Sequence, residues 1–192
     1  MTRITIIDGH PDPAPQRFVH SLADAYAGSA EKAGHQVRRI VLADSDFPLL
    51  RSAREWQEDR PCSTIIAAQD DICWAEHIVI LYPLWLGDVP ALLKGFFEQV
   101  ARPGFAFAPV KKGLPARLLK GRSARIIVTM GMPGLFYRLV YRAHSLKSLE
   151  RNVLAFCGFA PVRHSIIGRV ESSDAYRRKW LKRIGKLGAA AR

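Results

Sequence analysis

Five short runs rich in β-branched and other apolar residues, each followed by a stretch of helical periodicity, constrain this 192-residue chain more than any other feature. The runs are Arg3 to Asp8, Gln36 to Leu42, His77 to Tyr82, Ala124 to Thr129 and Val162 to Ile167. Helical spacing is predicted over Phe18 to Ala33, Thr64 to Trp74, Val89 to Val100, His144 to Cys157 and Asp174 to Leu187. Strict alternation of strand and helix selects a parallel sheet, because parallel neighbours need a crossover and a right-handed crossover lays its helix on the sheet face. Five strands fit the doubly wound order 2-1-3-4-5, an α/β sandwich of three layers. The run HIVILY at His77 to Tyr82 is nearly uncharged, which suits a strand covered on both faces. Asp88 is placed to cap the helix after it, with Pro90 tolerated in the first turn.

A chain of this length fits a single domain, here residues 1–192, with one sizeable core. Apolar residues make up 48% and charged residues 24%, the balance of a globular protein rather than a disordered one. No segment reaches the roughly 18 apolar residues needed for a membrane span, and the N-terminus enters a strand directly, so the expected location is the cytoplasm. Cys62, Cys73 and Cys157 are scattered and odd in number, which reads as reduced, mostly buried thiols rather than a metal or disulfide set. The net charge of +12 is uneven: nine of seventeen acids lie between Asp44 and Asp88, whereas Lys111 to Arg125 holds six bases and no acid. The C-terminal helix is basic as well, with an apolar stripe of Tyr176, Trp180, Ile184 and Leu187 that suits packing on the body. Such charge attracts phosphorylated cofactors, nucleic acids or anionic surfaces. No zinc-finger, helix-turn-helix or RNA-binding signature accompanies it, which disfavours nucleic acid.

In open parallel sheets, ligands bind beyond the carboxyl ends of the strands, where the strand order reverses. The first such turn holds Gly9, His10, three prolines, Gln16 and Arg17 ahead of a helix beginning at Phe18, a natural phosphate cradle or simply a stiff charged turn. It contains neither a GxGxxG nor a Walker pattern. The third strand runs into Pro83, Leu84, Trp85 and Leu86, a floor for a flat ligand, although Trp85 suits the core equally well. Thr129, Met130, Gly131 and Met132 form a turn after the fourth strand, where the methionines could also be gap fillers. Two long irregular stretches, Ala43 to Ser63 and Arg102 to Arg122, have the length of lids, interface arms or binding loops.

Five segments in order resemble the flavodoxin-like NAD(P)H dehydrogenases (quinone), or quinone reductases, whose bacterial relatives include potassium-efflux ancillary proteins and drug-activity modulators. The segments are GHPDP, AEHIVILYPLWLGDVPALLKGFFEQV, RPGFAF, LLKGRSARIIVTMGMPG and FCGFAPV. The resemblance implies a bound flavin, FMN or FAD, reduced by NAD(P)H, with NADPH favoured by the positive charge, and oxidised by a quinone or nitroaromatic acceptor. It implies that His10, Gln16, Arg17 and Phe18 hold the flavin phosphate and ribityl chain. Pro83, Leu84, Trp85 and Leu86 would back the ring, and Thr129, Met130, Gly131 and Met132 would close over its other edge. Tyr137 matches the family's substrate-facing tyrosine or else packs between helices, and His144 is an offset counterpart of the family's histidine or else a histidine that starts a helix. Where the family commonly carries serine and asparagine, this chain has Gln16, Arg17, Phe18 and Val19, which leaves either phosphate contacts from Arg17 and backbone amides or a weakly bound cofactor. A homodimer is implied, as is a rival role: a flavin-binding, redox-sensing regulatory subunit of a potassium-efflux system or another partner.

Overall fold

The computed structural model describes residues 1–108, 113 and 115–192, so Lys111 and Lys112 of the basic run lie outside the described residues. The strands β1 (Arg3–Asp8), β2 (Gln36–Val41), β3 (His77–Pro83), β4 (Ser123–Thr129) and β5 (Val162–Ile167) form a parallel sheet in the order β2-β1-β3-β4-β5. This is the expected architecture. The helices are α1 (Phe18–Lys32), α2 (Ala53–Gln57), α3 (Ser63–Trp74), α4 (Ala91–Val100), α5 (Gly134–Leu139), α6 (His144–Ser148) and α7 (Asp174–Ala189). Among the described residues, no helix is long and apolar enough to cross a membrane.

Every residue of β3 is buried, and successive side chains divide between two cores as the period of a strand requires. Val79 and Leu81 join Ile4, Ile6 and Ile127 beneath α1 and α7. Ile78, Ile80 and Tyr82 join Ile126, Val128 and Phe96 beneath α3 and α4. A fully buried side chain of this size contributes about 1.5–3 kcal/mol, so both helical layers are needed to hold β3.

Several local expectations change. Asp88 does not cap α4, which starts at Ala91 behind Pro90; its carboxylate accepts from the neighbouring Val89 N–H (2.7 Å), and its backbone pairs with Trp85. The helix expected from His144 to Cys157 is π-helical over Leu149–Ala155. Widened turns bring positions five apart onto one face, and Leu149 and Leu154 are both buried. The two long stretches are not free arms. Buried Arg102 donates to the carbonyls of Glu55 and Asp59 (2.7 Å each) and of Gln99 (3.0 Å), tying both stretches to α4. The aromatics of the Arg102 to Phe107 segment pack inward, Phe107 buried and Phe105 against the core. Of the thiols, Cys157 is buried, Cys62 half-buried and Cys73 exposed, so the expectation of mostly buried thiols holds for Cys157 alone.

The basic C-terminal helix packs on the body through its apolar stripe, with Trp180, Ile184 and Leu187 against the core under α1. Close approach depends on small residues. A Cβ at Gly185 would lie 2.7 Å from Ser29 Oγ, and one at Gly188 would run into the Tyr26 carbonyl. Gly188→Ala should therefore destabilise the fold by about 1–3 kcal/mol, more than offsetting the gain of up to about 1 kcal/mol in helix propensity. Urea denaturation measures this, and a stabilised variant would contradict the α1–α7 contact.

Candidate functional site

The turns after β1, β3 and β4 meet because these strands are neighbours. Gly9 N–H donates to the Leu81 carbonyl (2.7 Å), and Leu84 N–H donates to the Thr129 carbonyl (2.8 Å). Gly9 has to be glycine for the first contact: an added Cβ would lie 2.8 Å from Leu81 O and 2.9 Å from Leu93 Cδ2. A cavity of about 440 Å³ opens beside the β3 turn, lined by Trp85, Leu86, Asp88, Pro90, Ser145 and Leu149 among others. That volume suits a small ligand. A larger hollow of about 660 Å³ lies behind it, sharing Lys94, Phe97 and Val153, but none of the three turns lines it. We therefore place the site at the smaller cavity and the adjoining crevice.

The β3 turn presents its side chains through backbone geometry. Trp85 and Asp88 exchange backbone hydrogen bonds (3.0 and 2.9 Å), and between them Leu86 and Gly87 both adopt positive φ (49° and 80°). This tight reversal leaves Leu86 fully exposed and Trp85 47% exposed, so Trp85 is not a core residue. Pro83 closes the buried strand, and Leu84 packs against the core.

In the β1 turn, His10 is buried, 5.9 Å edge-on from the Trp85 ring, and so joins the first turn to the third. Its Nδ1 accepts the Asp12 N–H (3.0 Å), which leaves Nε2 as the protonated nitrogen of the neutral ring. Burial, followed by the charge of His20, holds the His10 pKa below its ordinary value, and Asp8 only partly counters this. Gln16 and Arg17 are exposed, but the Arg17 guanidinium is paired with the Asp12 carboxylate rather than standing free. Phe18 anchors the start of α1 on the core.

In the β4 turn, Thr129 and Met130 are buried, Met132 is half-buried and Gly131 is exposed. Tyr137 departs from expectation. It is fully buried, its hydroxyl pairing with Ser145 Oγ (2.8 Å) and accepting the Leu146 N–H (3.2 Å), so it joins α5 to α6 instead of facing the crevice. The tyrosine at the crevice is Tyr141: a Cβ built on Gly87 would be 3.3 Å from its ring. His144 is exposed and does not line the cavity, whereas its neighbours Ser145 and Ser148 do. Sequence reasoning missed Tyr141, Ser145, Asp8 and His20. The only signal was that Tyr141 stands one helical turn beyond Tyr137.

A flavin needs donors for its phosphate, an apolar surface for its ring and donors along the ring edge. Among the described residues, the amides of Gln16, Phe18 and Val19 make no hydrogen bond within the protein, leaving the first turn of α1 open to an anion. The amides of Leu86, Gly87, Gly131 and Met132 are free in the same way. With Trp85 and Leu86 exposed on the neighbouring β3 turn, the residues present fit the group.

The family model for the flavodoxin-like fold matches residues 2–187. A protein of Haemophilus influenzae described as an uncharacterized NAD(P)H oxidoreductase is 27% identical over 178 residues, which cover 91% of this chain and 87% of that one. The NAD(P)H:quinone oxidoreductase of Methanothermobacter marburgensis has a similar structure, with a TM-score of 0.82 at 23% identity over 98% of each chain. An FMN-dependent NADH-azoreductase of Bacillus anthracis, solved in complex with FMN, gives a TM-score of 0.76 at 17% identity over 99% of each chain. At these identities the two structures show a shared fold.

Tyr137→Phe removes a buried hydroxyl that serves both Ser145 and the Leu146 amide. It should lower stability by about 1–3 kcal/mol, read from thermal or urea unfolding. Unchanged stability would mean that this junction does not brace α5 against α6.

Proposed function

The chain belongs to the flavodoxin-like fold family, and on that premise we propose that it is a flavin-dependent NAD(P)H oxidoreductase acting on quinones or comparably flat electrophiles, nitroaromatics included. The observation that carries this reading is the meeting of three turns that combine free amides with the exposed Trp85 and Leu86. The NAD(P)H-linked names of similar proteins support it, and the FMN in the azoreductase supports the choice of cofactor class.

When bound, the flavin supplies the redox chemistry, taking hydride from NAD(P)H and giving it to the acceptor. The chain's own residues hold and orient. The α1 amides and the His10 Nε2–H receive the phosphate; Arg17 adds charge at the rim while keeping Asp12 in place. Trp85 and Leu86 back the ring, and the amides of Gly131 and Met132 meet its edge. Tyr141 would take the substrate-facing place that the resemblance implied for Tyr137, its ring centroid 6.3 Å from that of the buried Tyr137. A net charge of +12 favours NADPH over NADH.

Leu86 at the cavity, and Leu135, Leu139 and Val140 in and just after α5, leave apolar side chains in solvent. A patch of this kind marks an interface, and we assign it to a second copy of the chain that completes each pocket. Leu139→Asp should then convert a dimer to a monomer by analytical ultracentrifugation. A monomeric parent protein would remove this part of the proposal.

Purified protein mixed with FMN or FAD should retain flavin absorbance, bleach with NADPH and recover with a quinone. Trp85→Ala should weaken flavin binding about ten-fold, equal to about 1.4 kcal/mol. Failure of the parent protein to bind either flavin would overturn the reading.

A further inference from the structure

Asp8 ends β1 inside the protein, its side chain only 1% exposed, and the residue facing it is His20 in the first turns of α1. Nothing in the flavin reading requires this pair. His20 Nδ1 lies 2.6 Å from Asp8 Oδ2, and Nε2 lies 2.9 Å from the backbone carbonyl oxygen of Asp12. A carbonyl oxygen only accepts, so Nε2 carries a proton. The Asp8 carboxylate also accepts the His10 N–H (3.3 Å) and has the Arg39 guanidinium 4.0 Å away. Nδ1 likewise faces an acceptor, the Asp8 carboxylate, so both ring nitrogens are placed to donate, the arrangement that suits an imidazolium.

We propose that His20 is a positioning residue for the phosphate cradle: as an imidazolium clamped between Asp8 and the Asp12 carbonyl, it holds the His10 to Arg17 loop in its anion-binding shape and releases it on deprotonation. The identity of the anion rests on the flavin reading; the clamp does not. The loop has few other ties. Asp12 receives the Ala14 N–H (2.9 Å) and the Arg17 side chain, and its own N–H goes to His10, so the Asp12 carbonyl is the point where α1 grips this set of contacts. Losing one proton from His20 leaves a bare nitrogen against that carbonyl, because the remaining proton stays with the charged carboxylate.

The charged groups around the ring are Asp8 from β1, His10, Asp12 and Arg17 from the loop, Asp24 from α1 itself and Arg39 from β2. Burial alone would lower the His20 pKa, yet the Asp8 hydrogen bond, the Asp12 carbonyl and the charges of Asp8 and Asp24 outweigh it and raise the pKa above 6.5. The clamp is thus complete below pH 6.5 and is lost as the pH rises through the raised value. The same cation, its ring 5.3 Å from that of His10, disfavours a second charge on His10, which stays a neutral Nε2–H donor. One histidine shapes the cradle and the other faces it.

FMN affinity measured by fluorescence from about pH 6 to pH 9.5 should fall about ten-fold in the parent protein. His20→Gln, which has no titratable ring, should bind more weakly at low pH and lose this dependence. His20→Gln with the parent's full pH profile would overturn the proposal. Nitrogen-15 spectra of the parent protein without flavin test the clamp separately: at pH 6 both nitrogens of His20 should be protonated, with a pKa above 6.5. A neutral His20 at that pH would sink the clamp even if FMN binds. Absence of FMN binding at every pH, with the imidazolium present, would count against the flavin reading and remove the cradle as the object that His20 positions.

Discussion

Burial of β3 on both faces is the constraint on which the rest depends. A strand with no exposed residue must be paired along both edges and covered above and below. Pairing to β1 on one side and β4 on the other meets the first demand, and the α1–α7 and α3–α4 layers meet the second. The crevice follows from the same arrangement, since the three strands so joined end at one edge. The sheet's own hydrogen bonds continue into the turns, from Gly9 to Leu81 and from Leu84 to Thr129, so the crevice inherits the rigidity of the core.

Chemically the two sides of that crevice differ. The β3 side is made of backbone: a reversal through two positive-φ residues turns Trp85 and Leu86 outward and leaves amides free. The β1 side is made of side chains, a connected set running from Arg39 and Asp8 through His20 and Asp12 to Arg17, with His10 between it and Trp85. Buried charges in such a set are favourable only while each is paired, and this one is paired throughout. A loop without serine or threonine is in this way shaped by charged side chains.

Much of the fold was legible because it rests on patterns of short range. The β-branched runs and the helical stripe of Phe18, Leu22, Tyr26 and Ala30 carry their periodicities in the order of residues. Hence β1 and β5 match expectation to the residue, and β2, β3 and β4 to within one. Asp88 was misplaced because a capping residue is recognised by type, whereas here the backbone of Asp88 was already committed to Trp85. Tyr137 and His144 were matched to the family's tyrosine and histidine by their place along the chain. The path between them contains left-handed residues at Arg142 and Ala143, which rotate everything that follows and bring Ser145 to the cavity in place of His144.

By itself, the sequence determined the class of fold, the strand order and the three turns that form the crevice, since each follows from local periodicity and from the handedness of crossovers. Only the tertiary structure decided which side chains in those turns are available. It paired Arg17 with Asp12, buried the Tyr137 hydroxyl against Ser145, brought Tyr141 over Gly87 and set His20 against Asp8, a residue twelve positions away on another element. The physical reason is that the ionisation and reach of a polar group depend on what packs beside it, and those neighbours come from several elements at once.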